Sequence, residues 1–337
     1  MSVNIKLFLI VACGIAVTAS IVLTADLPNK RPNGFKRSLL FSETLSPEAS
    51  TEIEAHVRQI ISFTKEHIYL STGMPGEVLV KDHHLNTDAT STSFLHDSVF
   101  SAIGNVFKTQ LDPPHIYIFA SNIPAIIRSS MDMGENRFIP LPGPAFSYAV
   151  ALSESSYVLR QFKKGGKDKH FVKYNTASRT THIEDSLSLQ SGDGGLSTDG
   201  QLHYDRIRNR LLYMHYYNNT ILNFDTNLVL INRFHTIDTT SSRFRLGTGA
   251  PLANNQKSCI YNEFLLVCSN LKADNETFRK YRNNIPVDVY QITTGTYKGS
   301  FYVPLSEGKL VKSMKAHGNK LSVLYHDNRL SIFVLPL

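Results

Sequence analysis

The chain has 337 residues, of which 42% are hydrophobic and 19% are charged, and its formal net charge is +7. This composition is typical of a globular protein and excludes a disordered or collagen-like chain. A basic protein favours anionic surroundings such as phospholipid headgroups, acidic glycans or nucleic acid. Because the sequence contains no nucleic-acid-binding motif, we predict no nucleic-acid partner.

The beginning of the chain predicts a membrane segment. The residues from Leu7 to Ala25 carry no charge, and a helix of this length, at about 1.5 Å per residue, spans close to the roughly 30 Å hydrocarbon core of a bilayer. A retained anchor and a cleaved signal peptide are both open readings. We expect the large domain outside the cytoplasm, in the periplasm, or secreted if the segment is cleaved. Four basic residues after the segment argue the other way under the positive-inside rule: Lys30, Arg31, Lys36 and Arg37.

Short β-type runs recur through the rest of the chain. From about residue 66 onward, runs rich in β-branched and aromatic residues alternate with turns. Asn218-Asn219 and Asp327-Asn328 suit tight hairpins, because Asn and Asp accept the positive φ that such turns demand. Hairpins are predicted to begin at residues 67, 115, 147, 210, 264 and 320, a mean spacing of about 50 residues.

Six β modules at this spacing predict an all-β fold, a β-propeller with six blades. One four-stranded blade cannot bury both of its faces alone, whereas a closed ring of blades can. The irregular spacing leaves five or seven blades open, and the absence of tryptophan removes the Trp-Asp signature of WD40 blades. The segment around Ile53 and Val57 fits either a helix or a strand, and the β character of the rest favours a strand. The predicted parts are a membrane anchor or signal segment (1–25), a tether (26–45) and the propeller domain (46–337).

Two stretches carry a resemblance to known proteins. DGQLHYDRIRNRLLYMHYYNNTILNFDTN (199–227) and VDVYQITTGTYKGSFYVPL (287–305), together with the hairpin series, look like bacterial six-bladed propellers of the TolB-like or NHL-like type. The whole chain resembles a group of uncharacterised, envelope-anchored bacterial propeller-like proteins. The resemblance implies a fold and a compartment, the cell envelope, and no activity.

The segment from Gly192 to Tyr217 holds the candidate ligand-binding residues. It is rich in Gly and Asp, and then in Tyr and His. On a strand, Tyr213, His215 and Tyr217 share one face, and such side chains near the mouth of a propeller can stack on a sugar or a peptide. The alternative is that they are ordinary buried strand residues. The candidates are His203, Tyr204, Asp205, Tyr213, His215 and Tyr217.

Few residues suggest a disulfide or a metal site. Cys259 and Cys268 can form one disulfide or remain two buried thiols. The run Asp82-His83-His84 does not favour one ion on a strand, because adjacent side chains point to opposite faces. The Gly-Asp turns at 193–194 and 199–200 do not match a calcium loop. No cofactor is predicted, although a divalent metal in the central channel stays open, since its ligands would come from separate blades.

One basic cluster stands out between residues 160 and 173. The glycines at 165–166 place it on a hairpin tip, which indicates a solvated turn or a contact with headgroups or an acidic partner. Its members are Arg160, Lys163, Lys164, Lys167, Lys169 and Lys173.

The functional prediction is a binding or interaction module in the envelope, for a glycan, a peptide or a protein partner. GxSxG, HExxH, P-loop and helix-opening GxGxxG motifs are missing, so an enzyme is not favoured. The alternatives are a metal-dependent propeller hydrolase of the lactonase or esterase kind, a lyase, and a structural subunit of a membrane complex.

Overall fold

The computed structural model of the chain describes residues 3–24, 32–92, 97–131, 136–240 and 253–336. Helix α1 (Val3–Thr24) is followed by two strands, β1 (Leu39–Thr44) and β2 (Pro47–Glu52), and then by a ring of six sheets. These sheets are the blades of a six-bladed β-propeller, which confirms the predicted fold class.

Helix α1 covers the predicted membrane segment as far as Thr24, and Ala25 lies outside the described residues. Within the described ranges, no helix has both the length and the apolar character needed to cross a membrane. The membrane segment and the location of the large domain stay predictions.

The first three blades are each built from four strands that are consecutive in the chain and antiparallel to their neighbours. Blade 1 contains β3 (Val57–Phe63), β4 (His67–Thr72), β5 (Glu77–Asp82) and β6 (Thr87–Thr92), and α2 (Asp97–Ile103) follows it. Blade 2 contains β7 (Phe107–Asp112), β8 (His115–Ala120), β9 (Ala125–Ser130) and β10 (Arg137–Pro140). Blade 3 contains β11 (Phe146–Ala151), β12 (Ser156–Phe162), β13 (Lys169–Asn175) and β14 (Thr180–Glu184).

The last three blades complete the ring. Blade 4 contains β15 (Gly200–Asp205), β16 (Arg210–His215), β17 (Thr220–Asp225) and β18 (Leu230–His235). Blade 5 contains β19 (Asn255–Tyr261), β20 (Phe264–Ser269), β21 (Asn284–Gln291) and β22 (Tyr297–Pro304), with α3 (Phe278–Asn283) before β21. Blade 6 contains β23 (Val311–His317), β24 (Lys320–Tyr325) and β25 (Arg329–Val334). Five predicted hairpin starts coincide with the first residues of β4, β8, β16, β20 and β24, and residue 147 lies in β11.

The ring is closed by a segment that precedes the first blade in the sequence. Strand β2 pairs antiparallel with β25 and supplies the fourth strand of blade 6. Strand β1 pairs parallel with β22 and adds a fifth strand to blade 5. Such a closure uses both ends of the domain to remove a free sheet edge.

The segment predicted to be a tether (26–45) is part of the fold from Asn33 onward. Arg37 is buried, and its guanidinium lies 2.8 Å from carboxylate oxygens of both Glu276 and Asp288. The charge density of this segment suggested a solvated linker, but Arg37 finds its two counter-charges inside blade 5, and residues 39–44 form β1.

The hydrophobic core lies between the faces of neighbouring blades. Tyr117 and Ile126 of blade 2, for example, pack in one cluster with Phe146 and Tyr157 of blade 3. The middle strands are buried on both sides, which explains why they read as continuous apolar and aromatic runs. The innermost strands instead border a central channel, and they mix polar with apolar residues.

Candidate functional site: a cationic central channel

The inner strands of all six blades surround a central cavity of about 370 Å³. These strands are β3, β7, β11, β15, β19 and β23. The volume lies within the range of small-molecule sites in proteins, roughly 300–1,000 Å³. The cavity is therefore large enough to hold a small ligand.

Three lysines on three different inner strands bring positive charge to the channel. Lys108 of β7 and Lys315 of β23 line the cavity. Lys257 of β19 is not among the lining residues, but its charge is one of the causes that lower the pKa of Lys108. All three side chains are partly buried. Among the described residues, none of the three has a carboxylate within ion-pair distance. The channel therefore holds like charges that its own walls do not neutralise.

Burial acts on these lysines in the direction expected for cations in poor contact with water. Burial, together with the nearby charges of Lys257, Lys169 and Arg58, lowers the pKa of Lys108 to about 7, against a raising effect of Asp199. Burial also lowers the pKa of Lys257 and of Lys315. An anion in the channel would stabilise the protonated form of each lysine.

Tyr148 contacts the most perturbed of the three lysines. The Nζ atom of Lys108 lies 3.0 Å from the centroid of the Tyr148 ring, a cation–π geometry. Tyr148 belongs to β11, so the contact joins the inner strands of blades 2 and 3. Burial raises the pKa of the Tyr148 phenol, which keeps this partner neutral.

His203 remains a neutral imidazole beside these cations. Burial lowers its pKa to about 3, and the charges of Lys315 and Lys108 act in the same direction. Its Nε2 atom lies 2.7 Å from Oγ of Ser258, on the inner strand of the next blade. Ser258 is 1% exposed, so the contact is an internal hydrogen bond between blades.

Among the described residues that line the cavity, one is a carboxylate, and it is paired. Asp112, at the end of β7, forms an ion pair with Arg206, which follows β15. The pair connects blade 2 with blade 4 past the inner strand of blade 3. Arg206 thereby neutralises the negative charge that Asp112 would otherwise bring to the channel.

Glutamine side chains connect adjacent inner strands. The Gln110 side chain accepts a hydrogen bond from the Ala151 amide (2.9 Å) and donates one to the Ala151 carbonyl (3.1 Å). Gln201 makes the same pair of contacts with the backbone of Ser258, at 3.0 and 3.2 Å. These amides satisfy the backbone of strands that do not pair directly with each other.

The structure separates the six candidate ligand-binding residues into two groups. His203 and Tyr204 line the central cavity. Asp205 is buried and accepts hydrogen bonds from the backbone and guanidinium of Arg208. Their common strand, β15, is an inner strand, which is why part of this group borders the channel.

The other candidates lie away from the channel. Tyr213 is fully buried in β16, and its hydroxyl donates to the Thr198 carbonyl (2.9 Å). His215 is also buried, with Nδ1 lying 2.9 Å from the Thr220 carbonyl oxygen; burial lowers its pKa to about 4. Tyr217 lies beyond the end of β16 and is partly buried. Ligand binding by all six residues stays a prediction.

The candidate metal and calcium residues are held in local turns. Asp82 accepts a hydrogen bond from the backbone amide of His84 (2.8 Å), and His83 contacts the Thr64 carbonyl oxygen (3.0 Å). Asp193 accepts from the Leu196 and Ser197 amides. Within the described ranges, no three His, Cys, Asp or Glu side chains are grouped to hold a metal ion.

Cys259 and Cys268 are both free, buried thiols, so the disulfide left open by the sequence is not formed in this structure. The hairpin register explains the separation, because Cys259 lies opposite Leu266. Burial raises the pKa of Cys259 to about 12 and also raises that of Cys268, so both stay protonated.

The basic cluster at 160–173 is not one surface patch. Arg160 is fully buried, and its guanidinium donates to hydroxyls of Ser188 and Thr198. Lys169 is 3% exposed and lies 3.3 Å from Asp199, whereas Lys163 pairs with Asp185 at 2.7 Å. Arg160 and Lys169 are thus buried on β12 and β13, whereas Lys164 and Lys167 are exposed on the turn between these strands.

Sequence reasoning missed the three channel lysines. Each lies in a segment just before a predicted hairpin, and these segments mix polar with apolar residues: FKTQLD, NQKSCIY and VKSMKAH. A mixed segment before each apolar strand is the signal of an inner strand. Following it would have placed Lys108, Lys257 and Lys315 on inner strands, together with the other polar residues of these segments.

Comparison with known proteins adds information about the fold. The sequence matches no protein-family model and no curated protein. The structure is similar to that of a member of the DUF4221 family from Bacteroides vulgatus, with a TM-score of 0.54 and 13% identity over 90% of this chain and 98% of that one. It is also similar to the WD40 β-propeller domain of Doa1, with a TM-score of 0.52 and 9% identity over 87% and 97% of the two chains. At this level of identity the likeness shows the architecture alone, that of a β-propeller.

Proposed function

We propose that the protein is a binding module whose central channel recognises a small anionic ligand, one that carries a carboxylate, phosphate or sulfate group. The observation that carries the proposal is the set of three lysines, Lys108, Lys257 and Lys315, from three blades and without ion-pair partners in the described part of the chain.

The energetics favour an anion in this position. Like charges in a partly buried site raise the free energy of the folded protein unless a counter-charge is present. A bound anion contributes charge-assisted hydrogen bonds, which are about twice as strong as neutral ones. The pairing of Asp112 with Arg206 supports this proposal, because it neutralises the carboxylate that would repel an anion from the described part of the cavity wall.

The binding of inorganic phosphate, sulfate and citrate, measured by titration calorimetry at low ionic strength, tests the proposal. We expect at least one of them to bind with one site per chain. Lys108→Met and Lys315→Met should each weaken binding by about tenfold, or 1.4 kcal/mol. Each substitution removes one charge while it keeps most of the side-chain length.

Lys164→Met is the matched control, because Lys164 is exposed on the turn after β12 and lies outside the channel. It should leave the affinity within experimental error of the original. Absence of binding by all three anions would contradict the proposal, and so would equal weakening by Lys164→Met and Lys108→Met.

A further inference from the structure

Lys108 differs from the other two lysines in bordering two cavities. Lys108 lines the central cavity and also a second cavity of about 250 Å³, together with Phe119, Tyr148 and Ala149. The Lys108 side chain therefore forms part of the wall of both spaces. No carboxylate among the described residues forms an ion pair with it.

The surroundings of this amine favour its uncharged form. Lys257 of β19, Lys169 of β13 and Arg58 of β3 all place positive charge near it, and His203 of β15 stays neutral. Asp199 is the opposing negative charge, and it is already 3.3 Å from Lys169. The Tyr148 ring favours the ammonium form, but burial and the cations prevail and bring the pKa to about 7. A substantial fraction of Lys108 is thus a free amine at neutral pH.

A lysine that is desolvated beside other cations is an activated nucleophile toward carbonyl carbons. Exposed lysines such as Lys164 lack this environment. Lys315, on the inner strand of blade 6, lines the same cavity and supplies a positive charge that can hold a carboxylate. The channel thus combines an amine that can react with a cation that can orient an anionic substrate.

We propose that Lys108 forms an imine with a small carbonyl compound that carries a carboxylate, the chemical class of the 2-oxo acids. The Nζ lone pair attacks the carbonyl carbon and forms a C–N bond. Nζ then loses its protons, the former carbonyl oxygen takes them up and leaves as water, and a C=N bond remains. The step needs no oxidant or reductant, and it rests on the proposed anion-binding function of the channel.

Reductive trapping tests the proposal. The full chain is incubated with pyruvate and sodium cyanoborohydride at pH 7.5, and the modified lysines are located by peptide mass spectrometry. We expect Lys108 to be modified at least about tenfold faster than Lys164, because burial and the neighbouring cations leave part of the Lys108 amine deprotonated at this pH. The rate should rise between pH 6 and pH 8, through the pKa of Lys108. Modification spread evenly over exposed lysines, with Lys108 no faster than Lys164, would overturn the proposal.

Two further measurements separate this proposal from the function on which it rests. Lys108→Arg keeps a positive charge and should still bind phosphate, but it should lose the pyruvate adduct at this position. Lys315→Met should slow modification by pyruvate and leave modification by the neutral acetaldehyde unchanged. If phosphate binds but no adduct forms on Lys108, the imine proposal is wrong and the anion-binding function stands. If Lys315→Met changes labelling of Lys108 by neither pyruvate nor acetaldehyde, Lys108 is a reactive amine but Lys315 does not recognise the anionic group.

Discussion

The Nζ atom of Lys108 lies 3.0 Å from the centroid of the Tyr148 ring, and this contact joins the inner strands of two blades. The ring stabilises the ammonium form, while burial and the charges of Lys257 and Lys169 destabilise it. The protonation state of Lys108 therefore depends on a balance between its aromatic neighbour and its cationic neighbours.

Replacement of the ring shifts this balance. Tyr148→Leu should lower the pKa of Lys108 by roughly 0.4 to 1.5 units, because a cation–π contact contributes about 0.5–2 kcal/mol. Tyr148→Phe keeps the π face and should leave the pKa near its original value. NMR titration of ¹³C-labelled lysine side chains measures both values. An equal decrease in the two variants would show that the ring is not what stabilises the ammonium.

Removal of the Lys108 charge should stabilise the fold in a pH-dependent way. The folded-state pKa of Lys108 is about 7, below its ordinary value of 10.5, so between these two values the unfolded chain binds more protons than the folded one. The contribution of Lys108 to stability therefore rises with pH across this window. Lys108→Met should be more stable than the original protein at pH 6, and the difference should shrink toward pH 10.

Urea unfolding at pH 6 and pH 9 measures this difference. Lys164→Met is the control, and its effect should be within about 0.5 kcal/mol at both pH values, as is usual for surface substitutions. A Lys108→Met effect that is the same at the two pH values would contradict the depressed pKa.

The ion pair between Asp112 and Arg206 should control the anion affinity of the channel. Arg206→Gln leaves the Asp112 carboxylate unneutralised at the cavity wall, so the affinity for phosphate should fall. The double variant Arg206→Gln with Asp112→Asn removes both charges and should recover most of the loss. Calorimetry on the two single variants and the double variant gives the coupling. Purely additive effects would mean that the pair does not act on the channel.

Arg37 should be essential for the attachment of the N-terminal strands. Arg37→Met leaves Glu276 and Asp288 buried without their counter-charge, a change that typically costs 3–5 kcal/mol. Arg329→Gln removes a comparable but exposed pair with Glu307 and should cost less than about 1 kcal/mol. Chemical unfolding of the two variants compares these costs. Similar costs for both substitutions would contradict the role assigned to Arg37.

The blade pattern could be predicted from the sequence because it is local. Each apolar middle strand, such as β8 or β24, is followed directly in the chain by its turn. Asn328, with a φ of +63°, belongs to the turn after β24. The site could not be predicted in the same way. Lys108, Lys257 and Lys315 come together only through ring closure, and each is an ordinary polar residue in its own strand.

The Tyr and His residues of blade 4 show why composition alone could not identify the residues that line the channel. Tyr213 and His215 lie on β16, the second strand of the blade, where both faces pack against neighbouring blades. His203 lies on β15, the inner strand, and borders the cavity. The two strands are equally rich in Tyr and His, so only the order of strands within the blade decides which residues reach the channel.

Because β2 completes blade 6, it is synthesised long before the strand with which it pairs. Strand β2 leaves the ribosome early, but its partner β25 ends at Val334. At about 5–20 residues per second, β2 stays without that partner for roughly 15 to 60 seconds. Its sequence, PEASTE, is polar, acidic and begins with proline, features that discourage an unpaired edge from pairing with another chain. The sequence of β2 thus lowers the risk of aggregation during the time before β25 is available to pair with it.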